Sequence, residues 1–131
     1  MTKKKKILVV DDEVDFVDMI KMRLEANGYE VATANNGKDA ISMVKKDRPD
    51  AVLLDIMMPE MDGLSVLKEI RSEDTGLPVF IITAFSNETR FKAAGKLNAS
   101  GFIVKTRDLA EEIRNMTSVI EIADKVKGKS G

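Results

Sequence analysis

The stretch AVLLDIMMPEMDG, residues 51–63, places an aspartate directly behind a short apolar run and then breaks the chain at a proline. The first four residues are typical of a strand that is buried on both faces of a sheet. A carboxylate at the end of such a strand is costly to bury unless a cation meets it. Asp55 is therefore predicted to belong to a site that supplies positive charge.

The rest of the chain alternates short apolar runs with apolar residues at helical spacing. Continuous apolar strands that alternate with helices favour an α/β fold whose parallel sheet is covered on both faces. No internal repeat or linker divides the sequence, so we expect one domain over residues 1–131, with a core of about residues 5–127. The five predicted strands are residues 7–10, 29–34, 51–55, 78–83 and 101–105, and the last of five helices is predicted from Arg107 to about Val126.

The first predicted helix, residues 13–27, shows the helical pattern most clearly. Val14, Val17, Ile20 and Leu24 recur at helical spacing, which predicts one buried stripe. Gly28 follows at the position where a glycine commonly ends a helix.

Composition excludes several kinds of chemistry. The 131 residues include no cysteine and no histidine, which removes disulfides, thiolate zinc sites, Ser/His/Asp triads and a histidine phosphocarrier role. The net charge of −1 does not favour nucleic acid as a partner, and no apolar run approaches the ~20 residues of a membrane span. We expect a cytoplasmic protein whose chemistry rests on carboxylates, hydroxyls, amines and a hard metal ion.

Polar residues follow the apolar runs at the edge where such a sheet carries its functional crevice, outside the carboxyl ends of the strands. Asp11 and Asp12 follow the first strand, Asp55 ends the third, Thr83 the fourth and Lys105 the fifth. If the strand order is 2-1-3-4-5, the reversal between strands one and three brings Asp11 and Asp12 next to Asp55. Three carboxylates held this close repel one another and require a cation, and oxygen ligands alone select a hard ion such as Mg²⁺. A hydroxyl and a lysine beside them suit an anionic phosphoryl group.

Four segments together resemble the receiver domain of two-component response regulators, of the chemotaxis-type single-domain fold. They are ILVVDDE (7–13), LLDIMMPEMDG (53–63), PVFIITA (78–84) and GFIVK (101–105), in order and at fitting intervals. The resemblance covers nearly the whole chain. It implies a flavodoxin-like, doubly wound, five-stranded parallel sheet in the order 2-1-3-4-5.

The resemblance also assigns roles to the acidic residues. It implies that Asp55 is the phosphoacceptor, which attacks the phosphorus of a phosphohistidine on a histidine kinase or phosphotransfer protein. It implies that Mg²⁺ is held by Asp55 itself, by Asp12 directly, by Asp11 directly or through water, and by the backbone carbonyl of Met57.

Further roles fall on residues around this pocket. By resemblance, Thr83 hydrogen-bonds the phosphoryl oxygen, Lys105 pairs with it, and Phe102 is an aromatic switch that turns inward when the threonine moves. Met57 and Phe85 hold the positions that tune self-dephosphorylation in the family. Here both are bulky and apolar, so they are expected to keep water from the phosphoryl group.

The resemblance implies a signalling receiver rather than an enzyme, although it would assist its own phosphorylation and dephosphorylation. A downstream protein would bind to the surface of helix four, strand five and helix five. We expect a monomer that can dimerise on phosphorylation, with no direct contact to nucleic acid or membrane.

Structural interpretations of the same residues stay open in the sequence. Asp11 or Asp12 can cap the first helix, Asp62-Gly63 reads as turn chemistry, and Phe102 can be ordinary core packing. The methionines of residues 57–61 suit either the core or an exposed loop.

Two other functions also remain open. A haloacid dehalogenase-type phosphohydrolase would carry a second acid two residues past the nucleophile, where Met57 stands. A degenerate receiver would act only as a protein-binding module. Thr106 raises that second alternative, because the family has a cis proline there and a cis bond to another residue costs roughly 2.5–4 kcal/mol. Either packing carries that cost, or the bond is trans and the loop after Lys105 is rearranged.

Overall fold

The computed structural model describes residues 5–56, 58, 62–83 and 88–104, and the single residues 114, 117, 118 and 121. The predicted helix over 107–126 therefore falls almost wholly outside the described residues. In chain order the elements are β1 (Lys6–Val10), α1 (Val14–Ala26), β2 (Glu30–Ala34), α2 (Gly37–Lys46), β3 (Ala51–Asp55), α3 (Gly63–Glu73), β4 (Val79–Thr83), α4 (Glu88–Lys96) and β5 (Gly101–Val104).

The five strands form one parallel sheet in the order β2-β1-β3-β4-β5, which confirms the expected fold class and strand order. β3 lies in the middle, and all five of its residues are buried. The four apolar residues that precede Asp55 in this strand suit its place, because helices cover both faces of a parallel sheet.

Two apolar clusters lie on the two faces of the sheet. On one face α1 packs through Val17, Ile20 and Leu24, together with Ile7 and Val9 of β1. On the other face α2, α3 and α4 pack over the alternate strand residues through Ala40, Val44, Val66, Leu67, Ile70 and Ala94. Successive residues of β1 point to opposite faces of the sheet, so this strand contributes side chains to both clusters.

The predicted stripe of α1 was wrong at its first member. Val14 is 55% exposed, whereas the three later residues of the stripe are buried. At 3.6 residues per turn, Val14 lies about 90° from the middle of the face formed by Val17, Ile20 and Leu24. It begins the helix but does not face the sheet.

Side-chain caps explain where two helices begin. Asn36 accepts a hydrogen bond from the backbone N–H of Asp39 at the start of α2, and Asp62 accepts one from Ser65 at the start of α3. Such caps satisfy backbone donors that have no partner within the helix. α1 ends before Gly28, whose φ of 92° is the left-handed conformation that glycine adopts readily.

Two arginines tie together the loops at the amino ends of the strands. Arg71 of α3 donates to the backbone oxygen of Asn98, from Nε at 3.0 Å and from Nη2 at 2.9 Å, just beyond the end of α4. Its Nη1 donates to the backbone oxygen of Asp74 at 2.9 Å. Arg48 Nε donates to Asp74 Oδ2 at 2.6 Å, and this hydrogen bond is the main reason that the pKa of Asp74 lies below its usual range.

None of the helices in the described part of the chain combines the length and the apolar character that crossing a membrane requires.

Candidate functional site

Three carboxylates meet where the strand order reverses, between β1 and β3. Asp11 and Asp12 follow β1, and Asp55 is the last residue of β3. One carboxylate oxygen from each lies within 4.8 Å of the others. The parallel arrangement produces this cluster because it brings the carboxyl ends of adjacent strands to one edge of the sheet.

Burial differs among the three acids. Asp11 is 0% exposed and Asp55 is 3% exposed, while Asp12 is exposed to solvent. Like charges this close repel one another, and burial removes the water that would screen them. The cluster is therefore a place where a bound cation lowers the electrostatic energy.

The donor set indicates which cation fits. All three ligands are carboxylate oxygens, and the chain contains no histidine or cysteine. Hard divalent ions such as Mg²⁺ prefer oxygen donors and keep part of their water shell. The exposed Asp12 leaves one side of the cluster open to a hydrated ion, so the residues present fit Mg²⁺.

Asp55 is held from both sides. It lies opposite Ile82 in the ladder between β3 and β4. On the other side α3 begins against it: a β-carbon on Gly63 would stand 2.3 Å from the Asp55 carbonyl oxygen and 2.7 Å from the Cα of Ile56. The Gly63 N–H also donates to the Ile56 carbonyl at 2.9 Å. Only a residue without a side chain allows this approach.

The sequence interpretation of Asp62-Gly63 as turn chemistry missed this role of Gly63. Asp62 does serve local geometry, since it is the N-cap of α3. A glycine at the first helical position, where propensity disfavours it, is the signal that could have indicated close packing.

Asp11 organises the entry into α1 without being its N-cap. Its backbone N–H donates to the Ala34 carbonyl at 3.2 Å, and its Oδ1 accepts from the Glu13 N–H at 3.0 Å. The N-cap residue is Glu13, which makes no side-chain capping bond. The capping alternative for Asp11 and Asp12 therefore does not describe this helix, although Asp11 fixes the turn before it.

The remaining predicted site residues are described in part. Thr83 ends β4, one residue beyond the position opposite Asp55, and only its backbone is described. Phe102 is on β5, opposite Ile81 of β4, and its side chain is 40% exposed. The alternative that Phe102 is ordinary core packing is therefore wrong. Met58 is buried in the core. The predictions for Met57, Phe85, Lys105 and Thr106 concern residues outside the described ones.

Comparison with known proteins gives the same family from sequence. The family model for the response regulator receiver domain matches residues 7–117. The chain is 38% identical over 116 residues to the probable transcriptional regulatory protein TcrX of Mycobacterium tuberculosis, covering 87% of this chain and 49% of TcrX. It is 40% identical over 111 residues to the regulatory protein AtoC of Escherichia coli, covering 85% of this chain and 24% of AtoC. The chain thus spans half or less of these relatives.

A solved structure of similar size shows the same fold. The chemotaxis protein CheY4 of Vibrio cholerae superposes with a TM-score of 0.82 at 28% sequence identity. The superposition covers 89% of this chain and 99% of CheY4.

Proposed function

Because the chain belongs to the response regulator receiver domain family, we propose that Asp55 accepts a phosphoryl group from a phosphohistidine of a kinase or phosphotransfer protein. The observation that supports this most directly is the position of Asp55. It is the only one of the three clustered acids that lies within a strand, at the carboxyl end of the central β3, with Asp11 and Asp12 beside it. A nucleophile held in this way meets its substrate without reorganising the backbone.

In the transfer step a carboxylate oxygen of Asp55 attacks the phosphorus of the donor. The new O–P bond forms as the P–N bond to the donor imidazole breaks, and the imidazole nitrogen keeps the electron pair and takes up a proton. The product is an aspartyl phosphate. The burial of Asp55, which is 3% exposed, limits the approach of water to its own carboxylate and so favours transfer to that carboxylate over loss to water.

Asp11, Asp12 and Asp55 are the residues that would hold Mg²⁺, and the backbone carbonyl of Met57 joins them by family resemblance. When bound, the ion supplies positive charge that offsets the carboxylates and the phosphoryl oxygens. The carboxylate cluster has to be neutralised for an anionic donor to approach, since three negative groups within 4.8 Å repel a fourth.

The family pattern indicates how phosphorylation of Asp55 would change a distant surface of the protein. Thr83 and Lys105 would contact the phosphoryl oxygens, and Phe102 would turn inward as Thr83 moves. The 40% exposure of Phe102 agrees with the outward position that such a ring takes before phosphorylation. The partner that reads this change would bind α4, β5 and the helix predicted after them.

The direct test is incubation of the chain with acetyl phosphate and Mg²⁺, followed by intact-mass measurement. Wild type should gain one phosphoryl group, and Asp55→Asn should gain none. Asp50→Asn is the matched control, because Asp50 precedes the same strand at its opposite end and its Oδ2 accepts from the Lys6 backbone N–H, a bond that an amide oxygen can keep. A chelator should abolish labelling of wild type.

The alternatives give different results in that experiment. A protein-binding module without phosphoacceptor activity would show no added mass in any variant. A phosphohydrolase would release many phosphate ions per protein molecule while little phosphoprotein accumulates. Labelling that persists in Asp55→Asn would overturn the assignment of Asp55.

A further inference from the structure

The outer edge of β2 has no role in the function proposed above. β2 is the end strand of the sheet, and among the described residues it pairs only with β1. Its hydrogen bonds show which residues face β1: the Glu30 N–H donates to the Lys5 carbonyl at 2.9 Å, and the Ala34 carbonyl accepts from Asp11 at 3.2 Å. Even-numbered residues of β2 therefore turn their backbone groups inward.

The alternation of a strand turns the other two residues outward. Val31 and Thr33 direct their backbone N–H and C=O groups away from β1, which makes a short row of donors and acceptors at the edge. Natural edges of this kind are commonly protected by a lysine, a proline or a bulge. The sequence of β2 is EVATA, and its only charge is Glu30 at the first position.

This row has the spacing for antiparallel pairing with another β2. Val31 would lie opposite Thr33 of a second copy, and Thr33 opposite Val31, and each such pair exchanges two hydrogen bonds. The two-fold axis would pass beside Ala32. Residues at that non-hydrogen-bonded position approach to about 4.5 Å between Cα atoms, and alanine is small enough to allow it.

Helix α2 adds a charge pattern along the same edge. Asp39 and Met43 line a cleft of about 280 Å³ near the carboxyl end of β2, which Asp18 of α1 also lines. Met43 and Lys46 line a second cleft of about 290 Å³ towards the amino end of β2. Asp39 and Lys46 are both exposed and lie two turns apart, with the half-buried Met43 between them.

The two clefts carry opposite charge. The residues around the first include two carboxylates and no base. Those around the second include Lys6, Lys46 and Asp47. Lys6 is already paired with Asp47, so Lys46 supplies the net positive charge there.

We propose that this edge, formed by Val31 and Thr33 of β2 and by Asp39, Met43 and Lys46 of α2, binds a second copy of the chain through a two-fold axis. Two-fold pairing reverses one copy relative to the other, so Asp39 of each copy meets Lys46 of its partner and the two Met43 side chains meet near the axis. A surface whose charge reverses about its midpoint is complementary to itself in this arrangement.

The edge is short, so the association should be weak and should rise with protein concentration. It does not depend on phosphoryl transfer. Asp55→Asn should therefore associate as wild type does, and failure of the proposed function would leave this inference untouched.

Charge reversal tests the pairing of Asp39 with Lys46. In sedimentation equilibrium at low salt, wild type should form dimers, while Asp39→Lys and Lys46→Asp alone should stay monomeric. An equimolar mixture of these two variants should dimerise again, because each heterodimer restores both attractive pairs. Glu25→Lys, an exposed acid on α1, is the control for the change in net charge and should dimerise.

Proline substitution tests the strand pairing separately. Thr33→Pro removes an outward N–H, which proline can replace at a sheet edge without loss of the bonds to β1. It should give a folded monomer, whereas Ala32→Pro removes a bond to β1 and should unfold the chain. The inference is overturned if wild type stays monomeric at every concentration, or if the mixture of charge variants fails to dimerise. A dimer that persists in folded Thr33→Pro would also overturn it.

Discussion

Gly63 lies so close to the backbone of Asp55 that a β-carbon on residue 63 would stand 2.3 Å from the Asp55 carbonyl oxygen. Neither side can yield easily, since Asp55 is fixed in the ladder with β4 and Gly63 begins α3. The start of one helix thus sets the position of the proposed phosphoacceptor.

We therefore predict that Gly63→Ala lowers the free energy of unfolding by about 1–3 kcal/mol, the usual cost of an added methylene in a packed site. It should also slow phosphorylation by acetyl phosphate, because the backbone of Asp55 has to shift. Urea unfolding and intact-mass labelling measure the two effects. Gly95→Ala in α4 is the control, since a β-carbon there meets nothing within 4 Å. A Gly63→Ala protein with wild-type stability and labelling would contradict the argument.

Removal of the exposed acid of the cluster should separate metal binding from folding. Asp12→Ala is expected to lose Mg²⁺ binding while its stability without metal is equal to or above that of wild type, because one of three repelling carboxylates is gone. Calorimetric titration and urea unfolding in chelator test this. Asp15→Ala, in the first turn of α1, should keep Mg²⁺ binding. A strongly destabilised Asp12→Ala protein would show that Asp12 is structural.

The ion pair between Arg48 and Asp74 should give stability a defined pH dependence. Its hydrogen bond lowers the pKa of Asp74, so the pair contributes above the unfolded pKa of about 3.9 and is lost as pH falls through the folded value. Asp74→Asn should lower the free energy of unfolding near neutral pH by about 1 kcal/mol. Its difference from wild type should shrink as the pH falls below about 4. A difference between the two proteins that stays constant from neutral pH to below about 4 would refute the assignment.

The proposed switch predicts a variant that accepts phosphate without responding. Thr83→Ala should still be labelled at Asp55, yet the amide signals of α4 and β5 should shift less with beryllofluoride than in wild type. Thr83→Ser keeps the hydroxyl and should restore the shifts. Equal shifts in wild type and Thr83→Ala would show that the response of Phe102 does not depend on Thr83.

The lifetime of the phosphoryl group is predicted from Met57 and Phe85, which the family resemblance places beside the path of the attacking water. Neither side chain can hydrogen-bond that water, so the phosphoprotein should be long-lived. Met57→Asn with Phe85→Glu should speed phosphate loss by about ten-fold, equivalent to roughly 1–2 kcal/mol in the barrier. Decay after removal of the donor measures this. The apolar double variant Met57→Leu with Phe85→Leu should still lose its phosphoryl group slowly. Rapid decay of wild type would show that the access of water at these two side chains does not determine the rate.

Much of the scaffold is readable from the sequence because it depends on local patterns. The first four residues of β3 are all apolar since the strand is buried on both faces, and its predicted bounds are those observed. The meeting of Asp11, Asp12 and Asp55 follows once the strands are parallel and in this order, and the order itself came from family resemblance.

The structural features that could not be predicted from the sequence depend on contacts between distant segments. The need for glycine at residue 63 appears only when α3 lies on the end of β3. The bond from Arg71 to Asn98 joins residues 27 positions apart, and neither carries a motif. Val14 is exposed because it lies about 90° around the helix axis from the buried face, although the helix itself was predicted.

The bonds from Arg71 to Asn98 also make α4 a lever. They fix the chain just beyond Lys96, while Glu88 begins the helix at the opposite end. Nine residues at 1.5 Å each give a lever arm of about 13 Å. A tilt of about 5° about the fixed end would carry Glu88 through about 1 Å and leave Lys96 almost still. If α4 tilts, the displacement of its residues should therefore decrease along the helix. The first turn should move most, and the last turn should stay almost fixed.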